Sequence, residues 1–230
     1  MNIILAIISI VVCFSTVVLL EKKMGKEGLY VWIAIANICA NIAVCKSVDI
    51  AGMAFALGNV LFASNFLAMD ILNEKYGLKE SKKGVNVALI SVICFLVITQ
   101  GIILFVPNAT DTVHSSIVQL FSINLRTSIA SIIMLYVANI LAVKIYDKLK
   151  KKGVKLWVRN NVTTIICNCL ENYIFTFLAF AGIYDIKTIL IIATTGSIAE
   201  IIIALCDTPF VYWARREMNE NRSNKLSARK

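Results

Sequence analysis

One histidine, two prolines and ten glycines are all that 230 residues contain, and only 16% of the chain is charged. Scarce Pro and Gly, with no polar low-complexity tract, exclude collagen-like, linker-rich and disordered classes. Scarce charge excludes an ordinary water-soluble globule, in which about 25% of residues are charged. The lone His114 has no Cys or carboxylate spacing around it that completes a metal site. The seven cysteines all fall within or beside apolar runs, where they serve as small polarizable packing residues. Cys167 and Cys169 are two apart, and on a helix such positions do not face one another. No HExxH pair, Walker loop or nucleophile elbow occurs. A membrane enzyme is therefore poorly supported, and neither a cofactor nor a metal is expected.

What the chain does hold is apolar. Hydrophobic residues make up 59% and the mean hydropathy is +0.79, against about 45–50% apolar in soluble domains. A helix needs about 20 mostly apolar residues to cross a hydrocarbon core of about 30 Å. Such runs recur at 3–20, 29–45, 48–72, 85–106, 126–146, 161–182 and 188–213. The expected fold is all-α, a polytopic membrane bundle of about seven helices forming one domain over 1–213, with a basic tail at 214–230. The second run is the shortest and contains Asn37 and Asn41, which weaken it. The first run lacks a basic leader and a small-residue cleavage site, and Glu21-Lys22-Lys23 follows it, so it reads as a retained span.

The net charge of +9 has two readings, a nucleic-acid surface or basic loops on one side of a membrane. Position decides between them. Twenty of the 23 Lys and Arg residues sit in 22–26, 75–83, 144–159 and 215–230, after alternate runs. The 107–124 connection has none. Basic residues kept on the cytoplasmic side give this pattern, with the N-terminus outside and the C-terminus inside. The charge thus predicts orientation in a lipid bilayer and no nucleic-acid partner.

Ionisable groups within a span are costly, so each is a functional candidate. Glu171 and Glu200 lie about halfway along the sixth and seventh runs, too far from water for a short carboxylate stem. Asn161, Thr164, Asn168, Glu171 and Phe175 recur at three- and four-residue spacing, one polar stripe on a helix. Glu200 and Asp207 are seven apart and share a face. Asn59, Phe66, Asp70 and Asn73 follow one side of the third run, and Arg126 and Asn139 come from the fifth. Asp70 and Asn73 either serve the site or cap a helix near the basic loop. Asp207 either serves it or precedes a proline kink, and Arg126 either serves it or snorkels outward. Acids shared by several helices predict a cavity for a polar solute.

The segments Asp70-Ile-Leu-Asn-Glu-Lys-Tyr-Gly77, Leu156-Trp-Val-Arg-Asn-Asn161, 174–182 and Asp207-Thr-Pro-Phe210 together resemble the queuosine precursor transporter family. The resemblance runs from about residue 28 to 213. It implies import of 7-deazaguanine bases (7-cyano- or 7-aminomethyl-7-deazaguanine, or queuine) for tRNA modification, across a bacterial plasma membrane. The chain departs from the family pattern at three positions. Glu171 stands where an aspartate is usual, Asn168 where a glutamine is, and Glu200 where a lysine is frequent. A guanine-type edge offers two adjacent donors that match one carboxylate. The resemblance points to Glu171 or Asp70 for that edge, to Asn168 or Asn73 for the O6 acceptor, and to Phe66, Phe175 or Tyr173 for stacking. Glu200, Asp207 and Arg126 complete the expected substrate-binding set. Two other readings remain at this point: a substrate-binding subunit of an ATP-driven vitamin importer, and a membrane protein with an enzymatic or structural role. The oligomeric state stays open, a homodimer included.

Overall fold

The computed structural model describes residues 1–50, 53–122 and 125–216, without the side chains of 47, 50, 53–56, 125–128 and 199. Eight helices and one hairpin follow in order: α1 Asn2–Met24, α2 Lys26–Ala43, β1 Ser47–Ile50, β2 Met53–Ala56, α3 Gly58–Tyr76, α4 Leu78–Ile103, α5 His114–Phe121, α6 Leu125–Lys151, α7 Leu156–Phe180 and α8 Ile186–Leu205. A turn at Cys206 and Asp207 separates α8 from a further helical stretch over 208–216. Pro209 falls in the first turn of that stretch, where its missing N–H breaks no helical bond. No proline lies inside α1–α8.

Two reversals need only one residue each. Gly25 joins α1 to α2 at φ +64°, and Gly77 joins α3 to α4 at φ +87°, conformations that a Cβ would strain. The bundle end that they form is pinned by charge. Lys75 Nζ lies 2.6 Å from Glu21 Oε2, and the Tyr76 hydroxyl donates to Glu21 Oε1 at 2.8 Å. Across the next pair, Tyr30 donates to Glu80 at 2.8 Å and Lys26 reaches it at 3.1 Å.

Helix α3 occupies the centre, packed against α1, α2, α4, α6 and α8. Every residue from Ala63 to Asn73 is buried. This explains its sequence: a helix surrounded by helices needs no lipid-facing stripe, and Ser64, Asn65 and Asn73 meet partners inside the bundle. Helices α1, α4, α6, α7 and the segment 186–216 are long and apolar enough to cross a membrane. They expose Ile, Val, Leu and Phe outward, as α1 does from Ile3 to Val12.

The boundaries differ from the sequence expectation at three places. The run 48–72 does not start as helix, because its first part pairs as a hairpin with Ser47 opposite Ala56 and Ile50 opposite Met53. Composition cannot separate an apolar strand pair from helix. The connection 107–124 contains the short amphipathic α5, not a bare loop. The last run, 188–213, is interrupted at Cys206 and Asp207 rather than continuous. Residues 217–230, most of the expected tail, lie outside the described residues.

Candidate functional site

A cavity of about 490 Å³ lies within the bundle. Its walls come from the C-terminal halves of α2, α4 and α7, the N-terminal halves of α3 and α6, the end of α5, and Glu200 of α8. It therefore sits toward the end of the bundle bearing the hairpin and the 104–124 connection. Glu171, Glu200, Phe66 and Phe175 all line it. Four residues chosen from three separate runs thus share one space.

The two carboxylates are held differently. Asn172 donates to Glu200 Oε2 at 2.8 Å and to the Asn168 carbonyl at 3.0 Å, so both amide hydrogens are committed. Glu171 accepts no hydrogen bond among the described residues. Helix α8 approaches Asn172 closely at Gly196, where an added Cβ would lie 2.7 Å from the Asn172 Oδ1. On the outer side of the same pair, the Tyr173 and Thr194 hydroxyls meet at 2.8 Å.

The opposite wall is a row of amides. Asn37 donates to Ile33 O at 2.7 Å and to Asn65 Oδ1 at 3.1 Å. Asn65 reaches Asn139 Oδ1 at 3.5 Å, and Asn139 donates to Leu135 O at 2.7 Å. The row links α2, α3 and α6 and leaves the buried Asn37 Oδ1 without a partner. Phe62, Phe66, Phe95, Phe121 and Phe175 supply apolar surface between these polar walls. Phe95 meets Phe121 edge-on at 5.8 Å, and Gln100 donates to the Phe121 carbonyl at 2.7 Å, holding the end of α5 against α4.

Asp70, Asn73, Asn168 and Asp207 do not line the cavity. They are buried deeper, toward the other end of the bundle. Asn73 donates to Val143 O at 2.8 Å. Asp207 accepts from Asn160, and Asn161 donates to Thr208 at 2.9 Å. Asp70 has Asp207, Glu74 and Arg159 as its charged neighbours. Arg126 lies on α6, but its side chain is outside the described residues.

Beyond Asn73, a cluster closes this end. Arg159 pairs with Glu74, which also accepts from the Tyr146 hydroxyl at 3.3 Å and lies 3.6 Å from Arg215 Nε. The Arg159 guanidinium sits 5.4 Å from the Tyr146 ring centroid. Lys150 Nζ donates to the Asn73 and Glu74 carbonyls at 2.5 and 2.8 Å, capping the last turn of α3. The segments Asp70–Gly77, Leu156–Asn161 and Asp207–Phe210 thus meet in space.

That meeting gives the comparison with known proteins its structural meaning. Residues 56–214 match the family model described as "Putative vitamin uptake transporter". The chain belongs to this family. It is also 32% identical over 218 residues to the "Probable queuosine precursor transporter" of Bacillus subtilis (strain 168), covering 93% of this chain and 95% of that one. No solved structure matches. Both names describe transporters, in agreement with a multi-pass helical membrane protein.

Several site residues escape sequence reading. Asn172 stands one position beside the stripe that contains Glu171, so periodicity passes over it. Asn37 looks like a defect in a span and proves to be part of the amide row. Asn65 has no flanking pattern at all. For Asn37 the available signal was the cost of an amide in a span that carries no other reason for it.

Proposed function

We propose that this chain is a carrier that imports queuosine precursors, 7-deazaguanine bases used in tRNA modification, across a bacterial plasma membrane. The observation that carries the reading is one cavity holding two carboxylates, an amide row and five phenylalanines. A planar bicyclic base with a donor edge has matching needs: an ionised acceptor for its N1–H and amine, an amide for O6, and rings against its faces. Glu171 takes the edge, Phe66 and Phe175 stack, and Glu200 stands on the same side as Glu171, held by Asn172.

Seven crossings by α1–α4 and α6–α8, N-terminus outside, place the cavity on the external half and the Glu74–Arg159 cluster on the cytoplasmic half. The support is the distribution of basic residues. Between cavity and cluster, along about 18 Å of α7 from Arg159 to Glu171, runs a polar seam. Asp70, Asn160, Thr163, Asn168 and Asp207 each carry a buried side-chain oxygen with no partner among the described residues. An unpaired buried polar atom costs about 1–3 kcal/mol, an expense that a merely structural interface avoids. These atoms fit a route that hydrates when the seam parts, with Asp70, Asn168 and Asp207 meeting substrate after the cavity does.

Uptake complementation tests the function. A strain unable to make 7-deazaguanines expresses the protein and receives each base at low concentration, with queuosine in tRNA as the readout. Restoration by at least one base is expected, and none with any base refutes the proposal.

A further inference from the structure

The cavity is unusual in the sign of its charge. Glu171 and Glu200 line it, and none of its described lining residues is basic. A carboxylate facing an apolar space is costly when ionised unless a cation joins it. The hydrogen-bond inventory separates the two acids. Glu200 has Oε2 committed to Asn172, whose other hydrogen is held by the Asn168 carbonyl, so its direction is set and one oxygen remains available. Glu171 has both oxygens available among the described residues. A fixed carboxylate with one available oxygen suits a single point donor, whereas two available oxygens suit a pair of parallel donors. A second feature independently asks for a ligand. Asn37, 1% exposed, lines the same cavity and has its Oδ1 without a partner among the described residues. An acceptor in that state gains a bond only from a donor that enters.

We propose that the cavity selects a planar base carrying a protonated amine over the same base carrying a neutral substituent, with Glu171 on the donor edge of the ring and Glu200 on the ammonium. The inference rests on the transport reading above and narrows it. A neutral substituent leaves Glu200 without a counter-charge. An ammonium neutralises it and donates to its open oxygen. Among 7-deazaguanines the 7-aminomethyl compound has this chemistry and the 7-cyano compound lacks it.

The test is uptake of these two compounds by proteoliposomes containing the full chain, for wild type, Glu200→Gln and Glu171→Gln. Wild type is expected to prefer the aminomethyl compound by about tenfold or more, the scale of one charge-assisted hydrogen bond. Glu200→Gln is expected to lose that preference, its uptake of the aminomethyl compound falling to the level of the cyano compound, and thermal unfolding in detergent close to that of wild type shows that it folds. Glu171→Gln is expected to lose both. Equal uptake of the two by wild type, or a parallel fall of both in Glu200→Gln, overturns the inference and leaves the transport reading standing. Transport of neither compound by wild type defeats the transport reading, and this inference with it.

Discussion

Removing one partner of the Glu74–Arg159 pair should cost far more than removing both. The two side chains are 7% and 6% exposed, so neither charge reaches water when its partner is deleted. Single deletion from a buried pair costs about 3–5 kcal/mol, whereas apolar replacement of the whole pair is often nearly neutral. The residual contacts rank the single variants. In Arg159→Met the Glu74 carboxylate keeps the Tyr146 hydroxyl at 3.3 Å and Arg215 at 3.6 Å, which places the loss near the lower bound, about 3 kcal/mol. In Glu74→Met the guanidinium keeps the Val154 carbonyl at 2.9 Å and the Tyr146 ring, and its Nε has no partner. That loss belongs near the upper bound, about 5 kcal/mol. For a chain of this length each kcal/mol moves Tm by about 2–4 °C. Thermal unfolding in detergent should therefore show losses of about 6–12 °C for Arg159→Met and about 10–20 °C for Glu74→Met. The double variant should fall within about 2 kcal/mol of wild type. If the two single losses simply add in the double variant, the pair does not act as a buried ion pair, and the closure at this end has another origin.

Other outcomes follow from the same geometry. Glu171→Gln should abolish uptake without reducing the amount of protein in the membrane, measured by transport and quantitative blotting of one sample. Gly196→Ala should lower uptake, because its Cβ would lie 2.7 Å from the amide oxygen of Asn172, whose amide nitrogen positions Glu200; unchanged uptake would refute that role for Asn172. Asp185 caps α8 through the Thr188 amide at 3.1 Å and hydroxyl at 2.6 Å. The Thr188 hydroxyl chiefly, with backbone N–H groups, holds its carboxyl below the usual range. A depressed pKa contributes stability above the unfolded value of about 4 and loses it as pH falls through the folded value. Asp185→Ala should thus lower Tm at pH 7, and the difference should shrink below about pH 4.

The helical bundle was legible because lipid imposes a composition that the outer helices cannot avoid: α1, α4 and α8 carry it plainly. Central α3 was legible only in part, since a helix shielded on every side follows its neighbours and not the solvent. Its first expected turns are a hairpin, decided by strand pairing that no single-run hydropathy registers. Glu171 and Glu200 were found from cost alone, as carboxylates at mid-depth. Asn172, Asn65 and Asn37 were not, because amides are common between membrane helices and only contact distinguishes a row that lines a cavity from one that ties two helices together.

The residues that carry the family resemblance and the residues that line the cavity are largely different sets. Asp70, Asn73 and Glu74, the Arg159-Asn160-Asn161 run and Asp207-Thr208 assemble in and around the closure opposite the cavity. Their interactions are mutual: Glu74 needs Arg159, Lys150 needs the end of α3, and Asp207 needs Asn160. A change at one strands a buried polar group on another, so such a cluster changes as a unit or not at all. The cavity carboxylates have no such constraint. Glu200 depends on Asn172 alone, and Glu171 on nothing described. Either carboxylate can be exchanged for another polar group without stranding a buried charge elsewhere. On the proposed function, the residues that carry the family resemblance lie mostly at the closed end of the bundle, and the choice of cargo falls to a few cavity residues. Replacing Glu200 should alter which base is carried and replacing Glu171 should abolish carriage, each leaving thermal stability nearly unchanged. Exchanging the closure residues should do the reverse.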